Sequence, residues 1–313
     1  MSAAEAVASE RAEFLRDALA GLSGEAKTLP GKYLWDETGS DLFDRICAHP
    51  DYYPTKREMA LLPRVAAEVA ALVGPGVSVV EFGSGASRKI RTLLDALEAP
   101  AAYLALDISG AYLEAAIARL APDYPAVPMI PVCADYSKPI RLPPGAAVPP
   151  ILGFFPGTSI GNFAPDAAQG LLARIRDTLG PSRLLVGVDP TRDEARLYRS
   201  YGGDLMAAFH RNILVRMRRE LGAELDPEGF AHAVRVEPEP FRVEARLVAR
   251  GAQTIRLDED AFVFADGESV RTDTSHKYPP DAFRALAERA GWRPERVWLD
   301  PDGLFSLHLL RTE

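Results

Sequence analysis

The sequence contains few cysteines and few histidines. Of its 313 residues, two are cysteine and five are histidine. Cys47 and Cys133 lie far apart, and the histidines are scattered without the paired spacing that metal sites use. These shortages exclude a disulfide scaffold and a cysteine-rich metal module. We therefore expect two reduced thiols and no metal ion.

Long apolar runs and an excess of basic residues are also missing. No segment approaches the roughly 18 apolar residues of a membrane helix, and the first thirty residues carry charges throughout. The net charge is −8, from 36 Lys and Arg against 44 Asp and Glu, which disfavours nucleic acid or an anionic membrane as the partner. We expect a cytoplasmic, monomeric protein that acts on a small molecule.

Short apolar runs alternate with helical patterns between residues 77 and 191. The runs at 77–82, 103–106, 129–133, 151–155 and 184–188 predict parallel strands buried on both faces. After Asp189 the alternation stops, and a helical segment at 192–222 precedes strand-like segments at 232–271. A helix and two final strands close the chain. The pattern predicts a Rossmann-like α/β domain from 61–191 plus 279–313, and a mixed α+β domain from 1–60 plus 192–278.

A glycine turn follows the first of these strands. Its sequence is Glu81-Phe-Gly83-Ser-Gly85-Ala-Ser-Arg-Lys89, and its glycines permit a tight turn and close approach of the backbone to a ligand. A dinucleotide fingerprint would have a third glycine at position 88, where this chain has arginine. The acid at the end of the strand and the missing glycine favour S-adenosylmethionine over a nicotinamide cofactor. A turn that serves only helix–strand packing is the remaining alternative.

The next two strands end in acids. Asp107 closes the second strand, where a carboxylate can accept from both ribose hydroxyls. Asp135-Tyr136-Ser137 closes the third, where a carboxylate and an aromatic ring can bracket an adenine. These positions at the carboxyl ends of adjacent strands strengthen the prediction of an S-adenosylmethionine site.

A second glycine-rich segment follows the fourth strand. It reads Phe155-Pro-Gly157-Thr-Ser159-Ile-Gly161-Asn162-Phe, and its small residues leave room for a ligand. The Asn162 amide can accept from an amine and donate to a carboxylate, as an amino-acid substrate requires. The alternative is a glycine-rich loop in which Asn162 is present because asparagine favours turns.

Taken together, these segments resemble one family, the S-adenosylmethionine-dependent histidine Nα-methyltransferases of ergothioneine biosynthesis, which form hercynine. The similarity covers nearly the whole chain. It is carried by residues 32–44 (KYLWDETGSDLFD), 52–55 (YYPT), 81–91, 135–137, 155–163, 208–212 (AFHRN) and 272–278 (TDTSHKY). The Tyr-Tyr-Pro-Thr and Pro-Gly-Thr-Ser-Ile-Gly-Asn segments are specific to the family, whereas the glycine turn alone is not.

The resemblance implies a class I methyltransferase-type cofactor domain, a second domain that binds the substrate, and transfer of three methyl groups to histidine. It implies cofactor binding by Trp35, Gly83, Gly85, Lys89, Asp107, Asp135, Tyr136 and Ser137, with Lys89 reaching the methionine carboxylate. It implies substrate binding by Phe43, Tyr52, Gly157, Ser159, Asn162, Tyr201, Asp273 and Ser275. Asn162 and Tyr52, as the catalytic residues, would hold the α-amino and carboxylate groups. Tyr198 is the alternative to Tyr201.

Two residues depart from the family pattern at the end that reads the imidazole. Asp273, beside Ser275, replaces a glutamate, and Ala245 replaces a methionine that packs on the ring. Both changes are expected to enlarge the side-chain end of the pocket. A different α-amino acid or a related amine is therefore the alternative substrate. A non-catalytic S-adenosylmethionine-binding relative is a further alternative, which the intact Asn162 and Tyr52 disfavour.

Overall fold

The computed structural model describes residues 3–85 and 88–313. Ala86 and Ser87 of the predicted glycine turn lie outside this part. The described helices are α1 (Ala3–Leu22), α2 (Glu37–Ala48), α3 (Tyr53–Val73), α4 (Arg88–Ala96), α5 (Gly110–Leu120), α6 (Pro165–Leu179), α7 (Glu194–Tyr201), α8 (Gly203–Arg216) and α9 (Pro280–Arg289). Across these residues, no helix has both the length and the apolar character to cross a membrane.

Besides short 3-10 or π-helical turns at Gly31–Leu34, Ala121–Asp123, Ser159–Asn162, Met217–Leu221 and Pro227–Gly229, the described residues form twelve strands. They are β1 (Ser78–Phe82), β2 (Ala102–Asp107), β3 (Met129–Cys133), β4 (Ile151–Phe155), β5 (Arg183–Val188), β6 (Phe230–Pro238), β7 (Phe241–Ala249), β8 (Gln253–Leu257), β9 (Asp260–Phe264), β10 (Ser269–His276), β11 (Arg293–Leu299) and β12 (Ser306–Arg311).

The chain divides into two compact units, each built from two segments. We call Tyr52–Arg192 with Ser275–Glu313 the sheet unit, and Met1–Asp51 with Asp193–Thr274 the insert unit. The sheet unit begins at Tyr52 rather than at residue 61, because α3 is one continuous helix whose buried face packs into the core of that unit. It resumes at Ser275 rather than at 279. The cofactor and substrate roles of the two units remain predictions.

A seven-stranded sheet with the order β11-β12-β5-β4-β1-β2-β3 forms the centre of the sheet unit. Strands β1 to β5 are parallel, and β12 is antiparallel to both of its neighbours. One core lies where α3, α4 and α5 cover one face, and a second lies under α6 and α9 on the other. Burial on both faces explains why the central strands are almost wholly apolar.

Strand β3 corrects one prediction. The run at 129–133 was expected to be buried on both faces, but none of its residues is fully buried. The reason is its position at the edge of the sheet, where it pairs with β2 alone. The apolar content of a short run does not distinguish an edge strand from a central one.

The insert unit combines helices with a three-stranded sheet of order β10-β7-β6 and a separate β8-β9 hairpin. Strands β6 and β7 pair antiparallel with Val234 opposite Ala245. Helix α8 packs against α2 and against both of these strands. In α1, the ring of Phe14 stacks on Tyr33 with centroids 3.9 Å apart.

Candidate active site

The turn after β1 needs glycine for conformational reasons. Gly83 and Gly85 have φ values of 74° and 48°, in the left-handed region that side chains rarely adopt. The amides of Gly83 and Ser84 donate to the carbonyl of Leu106, at 2.8 and 3.2 Å, which ties the turn to β2. A Cβ on Gly85 would meet no described atom within 4 Å. No residue that the structure describes therefore covers this side of the Gly85 backbone.

Asp107 ends β2 beside this turn. Its Oδ2 accepts from the amide of Gly85 at 3.2 Å and its Oδ1 from the amide of Ser109 at 3.0 Å. Burial raises the pKa of Asp107, and these backbone donors act in the opposite direction. Each carboxylate oxygen has a second lone pair, so the side chain can accept from two hydroxyl groups of a ribose while it keeps both backbone bonds.

The segment after β3 places a carboxylate and a ring side by side. Asp135 Oδ1 accepts from the amide and the hydroxyl of Ser137, at 2.9 and 2.5 Å. Tyr136 packs edge-on against Phe155, with centroids 5.5 Å apart, and its ring lies 3.5 Å from where a Cβ on Gly83 would be. The structure thus brings Gly83 and Tyr136 together, as expected of one binding region.

Two buried polar atoms here have no hydrogen-bond partner among residues 3–85 and 88–313. They are the hydroxyl of Ser84 and the Oδ2 of Asp135, which lies 3.6 Å from the Lys138 ammonium. Buried polar atoms are normally satisfied, so orphans beside an open backbone suit a polar ligand. The donors and acceptors of a nucleoside match them, and these residues fit S-adenosylmethionine.

Lys89 meets an acid that the sequence analysis did not assign. Glu58, fully buried on α3, accepts from the amide of Gly157 at 2.8 Å and lies 2.6 Å from the Lys89 Nζ. Gly157 has a φ of 75°, and a Cβ there would lie 3.2 Å from that ammonium and 3.8 Å from the Ser159 hydroxyl. Two predicted site residues, Lys89 and Gly157, therefore contact Glu58, and Ser159 lies beside Gly157.

A periodic signal in the sequence could have revealed Glu58. It precedes Leu62, Val65 and Val69 by four, seven and eleven residues, and all three are buried on α3. An acid on the apolar stripe of an amphipathic helix must be paired or functional, since burying a lone charge is costly.

Asn162 and Ser275 lie near each other in the fold of the sheet unit. Asn162 is exposed at the end of the short 3-10 helix Ser159–Asn162. The neighbouring Gly161 packs so closely on the end of β10 that a Cβ would lie 2.6 Å from the carbonyl oxygen of His276 and 3.4 Å from the Ser275 hydroxyl. The ring Nδ1 of His276 donates to the Gly161 carbonyl at 3.0 Å, which holds the two segments together.

A buried ion pair supports Ser275. The Lys277 ammonium donates to its hydroxyl at 2.8 Å and pairs with Asp189 at 2.7 Å, with both charged side chains inaccessible to solvent. The hydroxyl of Tyr53, which follows the buried Tyr52, donates to the same carboxylate. In this arrangement the Ser275 oxygen accepts a hydrogen bond from the buried Lys277 ammonium.

The insert unit contains the other predicted residues. Trp35 and Phe43 form an aromatic cluster with Phe209 of α8, with centroids 4.9 to 5.7 Å apart. Phe209 belongs to the segment 208–212 that carries the family resemblance, but it was not among the predicted site residues. The carbonyl of Tyr201 accepts from His232 Nε2 at 2.9 Å, whereas Tyr198 is 47% exposed.

Asp273 is held close to the start of a short helix. Its Oδ1 accepts from the amide of Thr274 at 2.8 Å and lies 2.9 Å from where a Cβ on Gly31 would be. Ala245, the other departure from the family pattern, is buried, and its carbonyl accepts from the Thr272 hydroxyl at 3.3 Å. Whether the two residues enlarge one pocket remains a prediction.

The strand order, the glycine turn and the acids after β2 and β3 define an α/β enzyme of the class I methyltransferase type. The family of S-adenosylmethionine-dependent, histidine-specific methyltransferases matches residues 14–312. The chain belongs to this family. The resemblance noted in the sequence and the S-adenosylmethionine cofactor are thereby confirmed.

Relatives of known function match over most of the chain. The histidine N-alpha-methyltransferase of Mycolicibacterium smegmatis is 38% identical, and that of Mycobacterium tuberculosis 36%; each alignment covers 94% of this chain and 93% of the relative. Ergothioneine biosynthesis protein 1 of Neurospora crassa is 34% identical over 91% of this chain and 33% of its own length.

Proposed function

We propose that this protein transfers methyl groups from S-adenosylmethionine to the α-amino group of L-histidine, three in succession, to give hercynine. The observation that carries the proposal is the family match over residues 14–312, together with a glycine turn and acids suited to the cofactor. When bound, S-adenosylmethionine supplies a methyl group on a sulfonium. Asp107 would accept from the ribose hydroxyls, and Asp135, Tyr136 and Ser137 would contact the adenine side.

Asn162 and Tyr52 would hold the reacting amino acid. The exposed amide of Asn162 can accept from the α-amine and donate to the carboxylate. The amine must lose its proton before it attacks, since an ammonium has no lone pair. Fixing the nitrogen in line with the methyl group supplies much of the rate, so these residues act mainly by position.

Ser275 and Asp273 would recognise the imidazole of the substrate histidine by hydrogen bonding. A hydroxyl such as that of Ser275 can donate to the unprotonated ring nitrogen, and a carboxylate such as Asp273 can accept from the ring N–H. Phe43, Gly157, Ser159 and Tyr201 would complete the substrate contacts. A substrate whose side chain lacks this donor and acceptor would leave Ser275 and Asp273 without these bonds, so the site should disfavour such a substrate.

We further propose that the enzyme is a cytoplasmic monomer. All the residues assigned to cofactor and substrate lie in one chain, and neither Cys47 nor Cys133 forms a disulfide within the part of the chain that the structure describes. Light scattering of the purified protein measures the first property, and cell fractionation measures the second.

Mass spectrometry of a panel of amino acids tests the reaction. With S-adenosylmethionine present, histidine should gain three methyl groups while tryptophan, tyrosine and other amines gain none. Methyl gain on another amino acid, with none on histidine, would show that the substrate is a different amino acid, as the expected enlargement of the pocket allows. No methyl gain on any amino acid, despite cofactor binding, would indicate the non-catalytic relative.

Two variants separate the two halves of the site. Asp107→Ala should weaken S-adenosylhomocysteine binding about a hundredfold in calorimetric titration, because two hydrogen bonds to a charged acceptor are lost. Asn162→Ala should retain that affinity but lose methyl transfer. Unchanged cofactor affinity in Asp107→Ala, or full activity in Asn162→Ala, would contradict the roles assigned to these residues.

A further inference from the structure

Glu58 has a more constrained setting than the other acids near the predicted cofactor site. Its side chain is wholly inaccessible to solvent, and each carboxylate oxygen faces a different segment. Oε1 accepts from the Gly157 amide at 2.8 Å, and Oε2 lies 2.6 Å from the Lys89 ammonium. A buried carboxylate is tolerated when it is paired in this manner. Glu58 therefore joins the turn after β4 to the first turn of α4.

The lysine of this pair extends towards solvent. The Lys89 side chain is 22% exposed, whereas Glu58 is buried, so the ammonium marks the boundary between core and surface. It lies 3.2 Å from the position that a Cβ on Gly157 would take. Only a glycine with a φ of 75° leaves this space for the ammonium. The charge is thus fixed above the Gly157 backbone.

We propose that Glu58 is a positioning residue, which holds the Lys89 ammonium where it receives the methionine carboxylate of S-adenosylmethionine. The inference rests on the proposed function, through the role given there to Lys89. An ammonium has three N–H donors, so Lys89 can form its ion pair with Glu58 and still donate to a second carboxylate. The lysine side chain has four rotatable bonds, and without its partner the ammonium turns towards bulk water.

A double-mutant cycle tests whether Glu58 acts through Lys89. Glu58→Gln keeps the oxygen that accepts from Gly157 but turns an NH₂ group, a donor, towards the lysine. Calorimetric titration of S-adenosylhomocysteine is compared for wild type, Glu58→Gln, Lys89→Met and the double variant. Each single variant should bind about tenfold more weakly, as expected for one charged hydrogen bond. The double variant should bind no more weakly than Lys89→Met alone.

Kinetics add a readout that a purely structural role would not change. Glu58→Gln should raise KM for S-adenosylmethionine about tenfold and leave KM for histidine unchanged. Glu58→Asp, which keeps the charge on a shorter side chain, should recover part of the affinity. Glu68→Gln is the matched control, since it makes the same change on the same helix at a residue that contacts Trp298 instead.

The outcomes distinguish this inference from the proposed function. Two results would overturn the role of Glu58 and leave that of Lys89 intact. The first is wild-type affinity in Glu58→Gln. The second is additive losses of affinity, about a hundredfold in the double variant, which would mean that the two residues act independently. Wild-type affinity in Lys89→Met would overturn the inference, while Asp107→Ala and the amino-acid panel still decide the proposed function. If Glu58→Gln does not fold, Glu58→Asp is measured in its place in the same cycle.

Discussion

Close packing against the backbone of Leu34 requires a glycine at position 39. An alanine Cβ at this position would lie 1.7 Å from the carbonyl oxygen of Leu34. Asp36 caps α2 by accepting from the Gly39 amide at 2.8 Å, and the same oxygen accepts from the Asn212 side chain at 2.7 Å. Three residues from the segments that carry the family resemblance thus stabilise the insert unit.

Gly39→Ala should destabilise the protein by about 2–3 kcal/mol, because the backbone of Leu34 must move to admit the methyl group. Thermal unfolding followed by circular dichroism measures the change. Gly24→Ala is the control in the same unit, since its Cβ would meet nothing closer than 3.4 Å. A loss in Gly39→Ala no larger than in the control would show that the turn adapts freely.

The predictability of single residues depends on how far along the chain their partners lie. Asp107 was identifiable because it ends an apolar run beside a glycine turn. Glu58 bonds to Gly157, 99 residues away, and Lys277 pairs with Asp189 at a similar separation, so no local pattern names their partners. Such residues are detectable only as polar groups within an apolar periodicity.

At the scale of elements, apolar runs predicted the central strands well and the N-terminal helices less well. Helix α2 and the first turn of α3 lie in a stretch that is rich in proline and glycine. Prolines and glycines in this stretch indicate turns, but Pro54 lies in the first turn of α3, where its missing N–H costs nothing. Capping by Asp36, together with tertiary packing, overrides the turn signals in α2.

The Asp189–Lys277 pair links three parts of the sheet unit: the start of α3 through Tyr53, the end of β5, and the segment that begins at Ser275. Lys277→Met should cost about 3 kcal/mol, because it leaves the Asp189 carboxylate buried without its cation. Urea denaturation measures the loss.

Two comparisons make this prediction specific. Arg293→Met removes an exposed ion pair with Glu313 in the same unit and should cost less than about 1 kcal/mol. Adding Asp189→Asn to Lys277→Met should restore part of the stability, since the uncompensated charge is then absent. A double variant less stable than Lys277→Met would argue that the carboxylate does not need its cation.

At the scale of the whole molecule, stability should depend on pH through Glu81. Burial raises the pKa of this carboxyl from 4.5 to about 8, with Tyr103 and Lys89 acting in the opposite direction and Asp107 and Glu58 adding to the rise. Because its pKa is higher in the folded state, protonated Glu81 stabilises that state. The contribution of Glu81 to stability is complete below pH 4.5 and is lost as the pH rises through 8.

Glu81→Gln stays neutral at every pH and keeps an acceptor for the Tyr103 hydroxyl. Its thermal midpoint relative to wild type should therefore rise steadily between pH 5 and pH 9. Glu98→Gln, an exposed glutamate in the same unit, should show a constant difference over this range. A flat difference for Glu81→Gln would mean that Glu81 ionises in the folded protein as it does when unfolded.

The order of the central sheet has a consequence for the newly made chain. Strand β12 lies between β5 and β11, and Ser306 bonds to Val188 across 118 positions of sequence. At the usual 5–20 residues per second of synthesis, roughly 6–24 seconds pass before β5 meets this neighbour. Throughout that interval an apolar strand edge stays open to other chains on the ribosome. The nascent protein should therefore depend on chaperones until its last strand has emerged.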